Sequence, residues 1–231
     1  MVPQAEGGRV SIQSPPDTFD GLTFCGNTEQ LVSAAATCYW PERTVTWHVR
    51  DPLPRLSVED MKAAYQMACE AWERHCGIDL LYSSNPKTAN ILVTAADLGG
   101  RQGVLADSHL PRCGLDSNSQ FQALQRYDVS ELWIIAEKPK PGEIDFARVG
   151  AHELGHAIGC PHTNDGGLMD PTYSPTKRWP QGKQEIRLVL NGYGQPKPVD
   201  EPDKPPGDEV VIRIESGTLR IAGYRLTKIG G

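Results

Sequence analysis

Residues 152–162 read HELGHAIGCPH. His152 and His156 stand four apart, which on an α-helix puts both imidazoles on one face. Imidazole is a good ligand for Zn2+, which prefers four-coordinate geometry. A third ligand must then arrive from another direction. Gly159 lets the backbone turn off the helix, and His162 follows that turn. Three neutral ligands leave the fourth position to water, the arrangement of a catalytic zinc site and not of a closed structural one. Glu153 is next to a ligand but rotated about 100° around the helix. It is therefore placed to take a proton from a metal-activated water and to hand it to a leaving group. An ordinary amphipathic helix would have to gather three of the chain's six histidines into eleven residues, with glutamate and glycine in role, by accident. Cys160 is expected to be a buried thiol or half of a disulfide. As a fourth ligand it would close the position that water needs.

A helix carrying this motif needs a sheet and further helices to hold it. TVTWHV from Thr44 alternates and is rich in β-formers, so it reads as a strand. SVEDMKAAYQMACEAWERHC follows, with Ser57 and Asp60 as a capping box and an apolar stripe at Met61, Ala64, Tyr65, Ala68, Ala71 and Trp72. IDLLYS and NILVTAA read as strands, the second apolar enough to be internal. GVLADSHL reads as a more polar edge strand and SELWIIAE as another apolar strand. Asp145 can cap the motif helix from Phe146 to about Ile158. A glycine-rich loop, NDGGLMDPTYSP, and a last helix over QGKQEIRLVLNGYG complete the domain. This alternation predicts an α/β (α+β) fold: a twisted, mostly parallel five-stranded sheet with one antiparallel edge strand, two long helices beneath it, and a smaller C-terminal subdomain.

The 231 residues suffice for one buried domain with appendages or for two small domains. Residues 1–40 read as a polar N-terminal extension and candidate short propeptide, 41–195 as the domain, 196–208 as a proline-rich linker and 209–231 as a β-hairpin. A net charge of −6 without a basic run argues against nucleic acid. No apolar stretch reaches membrane-spanning length, and the N-terminus shows no secretory signal. The oligomeric state is left open. Six cysteines suggest an oxidising compartment. Cys69 and Cys76, seven apart on one helix, are separated by about 10 Å of axial rise, too far for a bridge. Cys25 and Cys38 are the easiest pair to picture.

The pattern H-E-x-x-H-x-x-G-x-x-H resembles the metzincin zinc peptidases. Met169, seven residues after His162, resembles the methionine turn that lies beneath their zinc. Within that group HELGHAIGCPHTNDGGLMDPTY resembles the matrixins, the matrix-metalloproteinase family. The similarity runs over roughly residues 41–194. It implies a zinc-dependent metalloendopeptidase acting on protein or peptide substrates, with Glu153 as general base. It also implies that Gly103, Val104, Leu105 and Ala106 form the edge against which an extended substrate lies antiparallel, and that Pro171 to Tyr173 wall the S1′ pocket. Arg148, four before His152, either reaches the base of S1′ and makes it shallow or is solvated on the helix's outer face. The resemblance and the cysteines together suggest an extracellular or surface location.

The departures from that family also carry expectations. DLGGRQGVLADSHLP offers only His109 where animal matrixins hold a structural zinc, so one catalytic zinc is expected, with calcium as a weaker candidate. Residues 111–116, PRCGLD, resemble the cysteine latch of matrixin propeptides but follow the edge strand, where a latch does not belong. Cys25 lies in the right region without the flanking Pro-Arg. Both are latch candidates ranked below structural cysteines. The rival function is a virion, surface or matrix assembly protein, motivated by the linker and hairpin.

Overall fold

The computed structural model describes residues 23–25, by backbone alone, together with 37–116 and 118–197. Strand β1 is Thr23–Cys25 and β2 is Thr44–Val49. In β2 the alternation holds: Val45, Trp47 and Val49 are buried. Helix α1 spans Val58–Glu73, and its capping box is formed. Asp60 N–H donates to Ser57 Oγ at 3.1 Å and Ser57 N–H to Asp60 Oδ2 at 3.2 Å. Such a cap is worth about 1 kcal/mol. The stripe from Met61 to Trp72 is buried.

Strands β3 (Asp79–Tyr82), β4 (Ile91–Ala96), β5 (Val104–Ser108) and β6 (Ala123–Asp128) complete the main sheet. The spatial order is β3-β2-β4-β6-β5. The first four are parallel and β5 is antiparallel to β6. Central β4 has its first four residues buried, as its unbroken apolar run requires. Beyond β5, the short β1 pairs in the parallel sense, Thr23 opposite Val104 and Cys25 opposite Ala106. The GVLA segment is therefore not the outermost strand among the described residues. Its unpaired N–H and C=O groups have taken up another piece of this chain.

The apolarity of SELWIIAE points to the wrong segment for one strand. The fifth strand of the sheet is ALQRYD, not SELWIIAE. The polar Gln125 occupies a core position there, fully buried, and accepts hydrogen bonds from Tyr65 OH at 3.0 Å and Tyr127 OH at 2.9 Å. Only Leu132–Ile134 (β7) of SELWIIAE is strand, in a separate parallel pair with Glu143–Asp145 (β8).

Helix α2, Phe146–Ala157, is buried along its whole length. It packs on α1, where Trp72 Nε1–H donates to Ala151 O at 2.8 Å. Helix α3 is Lys183–Tyr193. Segment 37–43 and α3 close over the C-terminal end of α2: Trp40 Nε1–H donates to Ala157 O at 2.7 Å, and Tyr193 OH of α3 donates to Ile158 O at 2.9 Å. Cys38 is bridged to Cys113, not to Cys25. Cys69, Cys76 and Cys160 are buried free thiols. Among the described residues no helix is long and apolar enough to cross a membrane. The proposed linker from 198 onward and the terminal hairpin lie outside the described residues.

Candidate metal centre

His152 and His156 project from α2, and each anchors its Nδ1 on a backbone carbonyl. His152 Nδ1 lies 2.8 Å from Leu168 O, and His156 Nδ1 lies 2.8 Å from Cys160 O. A carbonyl only accepts, so both Nδ1 atoms carry the proton and both Nε2 lone pairs are available to a metal. Gly159 makes the corner with φ +94°. A side chain there would be strained by that angle and would approach the Tyr39 ring to 2.9 Å. After the corner His162 turns back to the same point. The ligand atoms of the three histidines all lie within 4.8 Å of one another. A tetrahedral zinc with bonds near 2.05 Å holds its nitrogens about 3.4 Å apart, so small side-chain adjustments would complete the set. The Nε2 atoms of His156 and His162 are buried with no hydrogen-bond partner among the described residues. A cation at that point would satisfy them.

Burial, reinforced by the neighbouring imidazoles, holds His152 well below the usual histidine range. The same causes bring His156 to about 3. Burial also lowers His162. The three rings are thus neutral at pH 7, the form that binds metal. Glu153, next to His152 on α2, is fully buried.

Beneath the histidines, Met169 is fully buried against Gly155 of the helix. A Cβ on Gly155 would collide with Met169 Sδ and come within 2.7 Å of Trp72 Cζ2. The turn carrying Met169 is closed by Thr163 N–H donating to Met169 O at 2.9 Å. It is gripped from below by Glu185, the third residue of α3, whose carboxylate accepts the N–H groups of Leu168 and Met169. Sequence reasoning passed over Glu185; its one signal was an acid in the first turn of a helix with a glycine cap.

The family model of the matrixins matches residues 39–190, well over half of the chain. The chain is a matrixin. It is 28% identical to the macrophage metalloelastase of Oryctolagus cuniculus over 179 residues, 72% of this chain and 36% of that protein. It is also 28% identical to matrix metalloproteinase-18 of Xenopus laevis over 208 residues, 84% of this chain and 42% of that protein. Against the interstitial collagenase of Sus scrofa the identity is 26% over 196 residues, 80% and 39% of the two chains. The chain thus spans about two fifths of the length of these relatives. Matrixins are metalloendopeptidases of protein substrates, and this matrixin offers a three-histidine cluster suited to the family's metal.

Around the centre the matrixin places its remaining candidates unequally. Arg148 is 1% exposed, which overturns the solvated outer-face alternative. Its guanidinium lies 5.0 Å from the Tyr173 ring centroid, and burial brings its pKa down to about 10. Burial pushes Tyr173 up to about 12, and its hydroxyl accepts Asp145 N–H at 3.2 Å. Asp145 is the N-cap residue of α2 but makes no side-chain cap bond. Its carboxylate instead binds Arg178 twice, at 2.7 and 3.2 Å, tying the segment after Met169 to the start of α2. Pro171, half-buried, lies in that segment.

Leu105 and Ala106 of β5 are buried, Val104 is half-buried and Gly103 is exposed. The loop that feeds β5 is held by two buried carboxylates that sequence reasoning also missed. Asp128 Oδ2 accepts Leu98 N–H and Gly100 N–H, each at 3.2 Å. Glu131, its pKa raised by burial, accepts Gln102 N–H. His109 is exposed, with Leu124 N–H donating to its Nδ1 at 3.4 Å. Cys113 is corrected as a latch: its sulfur is spent in the bridge to Cys38, so it has no thiolate to offer a metal. Cys25 ends β1, whose backbone pairs with Ala106.

Proposed function

We propose that this chain is a zinc-dependent endopeptidase. The observation that carries the reading is the convergence of His152, His156 and His162 on one point, with Glu153 adjacent on the same helix. Zinc held by three imidazoles supplies Lewis acidity, lowering the pKa of water toward about 7 and polarising a carbonyl. Glu153 takes the proton released by the attacking water and returns it to the departing amine. Val104 to Ala106 offer the backbone groups for an extended substrate, a role supported by their pairing with β1 of the same chain. That pairing also supports a short propeptide within residues 1–40 that ends before Cys38, since β1 takes up the same backbone groups while Cys38 and Trp40 are tied into the domain. Arg148 and Tyr173 form the floor and wall of a shallow S1′ pocket that favours medium apolar side chains. One zinc per chain serves catalysis. The Cys38–Cys113 bridge favours an oxidising, extracellular setting.

The test is peptide or casein cleavage by wild type and Glu153→Ala, each with and without a zinc chelator. Loss of the general base lowers the rate by about 100- to 10,000-fold while metal analysis still finds zinc. Equal cleavage in all conditions would refute the mechanism.

A further inference from the structure

Glu185 is fully buried, and its carboxylate accepts four backbone N–H groups. Oε1 takes those of Leu168, Gln181 and Gly182 at 3.1, 2.7 and 2.8 Å, and Oε2 takes that of Met169 at 2.8 Å. The bonds to Gln181 and Gly182 cap α3. The other two reach into the turn beneath the histidines, and the approach depends on Gly167. A Cβ there would lie 2.6 Å from Glu185 Cδ.

The Met169 N–H and the Leu168 C=O belong to one amide group. Its N–H is held by the Glu185 carboxylate, and its oxygen accepts His152 Nδ1–H, each at 2.8 Å. A negative acceptor on the N–H side draws density toward the carbonyl oxygen and strengthens the bond made there. A stronger bond at Nδ1 fixes the ring and makes Nε2 a more basic ligand. His156 provides an internal comparison. Its Nδ1 bond to Cys160 O has the same length. That carbonyl belongs to the Cys160–Pro161 amide, which has no N–H for any carboxylate to hold. The two helix ligands are matched in the length of that bond and unmatched in what stands behind it.

We propose that Glu185 is a positioning residue of the metal centre that acts through the Leu168–Met169 amide, orienting His152 and giving its Nδ1–H the stronger of the two helix ligands' backbone bonds. The inference rests on the zinc reading above.

Glu185→Gln keeps size while removing the charge and turning one acceptor into a donor. Its zinc affinity is measured by competition with a chromophoric chelator, beside the melting temperature of the metal-free protein. Ser57→Ala, which removes the distant cap of α1, is the stability control. The expected result is about a tenfold or greater weakening in Glu185→Gln, with no change in Ser57→Ala. Zinc binding within twofold of wild type in Glu185→Gln, or an equal loss in Ser57→Ala at a matched melting shift, overturns the proposal. A second measurement needs no variant at this position: 1H–15N spectra of the histidine rings in zinc-loaded wild type. The His152 Nδ1–H is expected downfield of that of His156, and coincident or reversed shifts overturn the proposal even if Glu185→Gln does not fold. Wild type that takes up no zinc removes the zinc reading itself. Zinc-binding wild type matched by Glu185→Gln removes only this inference.

Discussion

Arg178→Ala is the substitution whose effect can be worked furthest from the structure. The Asp145 side chain is 3% exposed and that of Arg178 is 15%. The pair is bidentate, and Asp145 Oδ1 also accepts Ala136 N–H at 3.2 Å. Removing one partner of a buried pair costs about 3–5 kcal/mol, because the other charge is left uncompensated. Here the Ala136 bond remains and Asp145 can take up a proton, so the low end, about 3 kcal/mol, is expected. For a domain of this size that is a melting shift of about 6–12 °C.

The pH dependence gives the sharper test. Burial raises the Asp145 pKa above its ordinary value, against the lowering effect of Arg178. The folded state therefore holds this proton more tightly than the unfolded state does, whose value is about 3.9. Stability linked to Asp145 is full below that value and is lost as pH rises through the folded value. Removing Arg178 raises the folded value further and widens the interval. The deficit of Arg178→Ala relative to wild type is thus largest at neutral pH and shrinks toward pH 4. Adding Asp145→Asn removes the stranded charge and should recover part of the loss. Urea or thermal unfolding across pH 4–7 measures all three proteins. A deficit that stays constant or grows on acidification would refute the reasoning.

Two further outcomes follow from the same energetics. Metal-free protein should lose stability as pH falls below about 6.5, because unfolded histidines take up protons that buried His152 and His156 refuse. At pH 5 the loss is about 2 kcal/mol for each of the two rings, from 1.36 kcal/mol per unit over about 1.5 units; calorimetry showing a flat profile from pH 7 to 5 would count against neutral rings. Cys113→Ser opens a bridge that closes 75 residues of chain and should cost about 4 kcal/mol in the chain-entropy account, read from denaturant midpoints. Its peptidase activity at low temperature should not rise, and a rise would restore Cys113 as a latch.

What the sequence disclosed and what it hid divide by the distance over which a residue finds its partner. His152 and His156 were legible because two ligands on one helix face must stand four apart, and Gly159 because the chain must turn before His162. The Ser57–Asp60 box was legible for the same reason, its bonds spanning three residues. Asp145 shows where that logic fails. An acid before a helix predicts a cap, and the residue is at the N-cap, but its carboxylate is drawn to Arg178, 33 residues away. Glu185 likewise binds Leu168 and Met169, 17 and 16 residues back, and Cys38 meets Cys113 across 75. Gln125 hid a whole strand, because a polar core position breaks the alternation that announces strands, and its partners Tyr65 and Tyr127 are supplied largely by the fold. Asp145, Glu185 and Gln125 share a property: each is a polar or ionic group buried against a distant partner. Burial without that partner would cost several kcal/mol, so each can exist only once the fold has formed around it. Local pattern therefore locates the chemistry, whereas the groups that hold it in register become legible only in three dimensions.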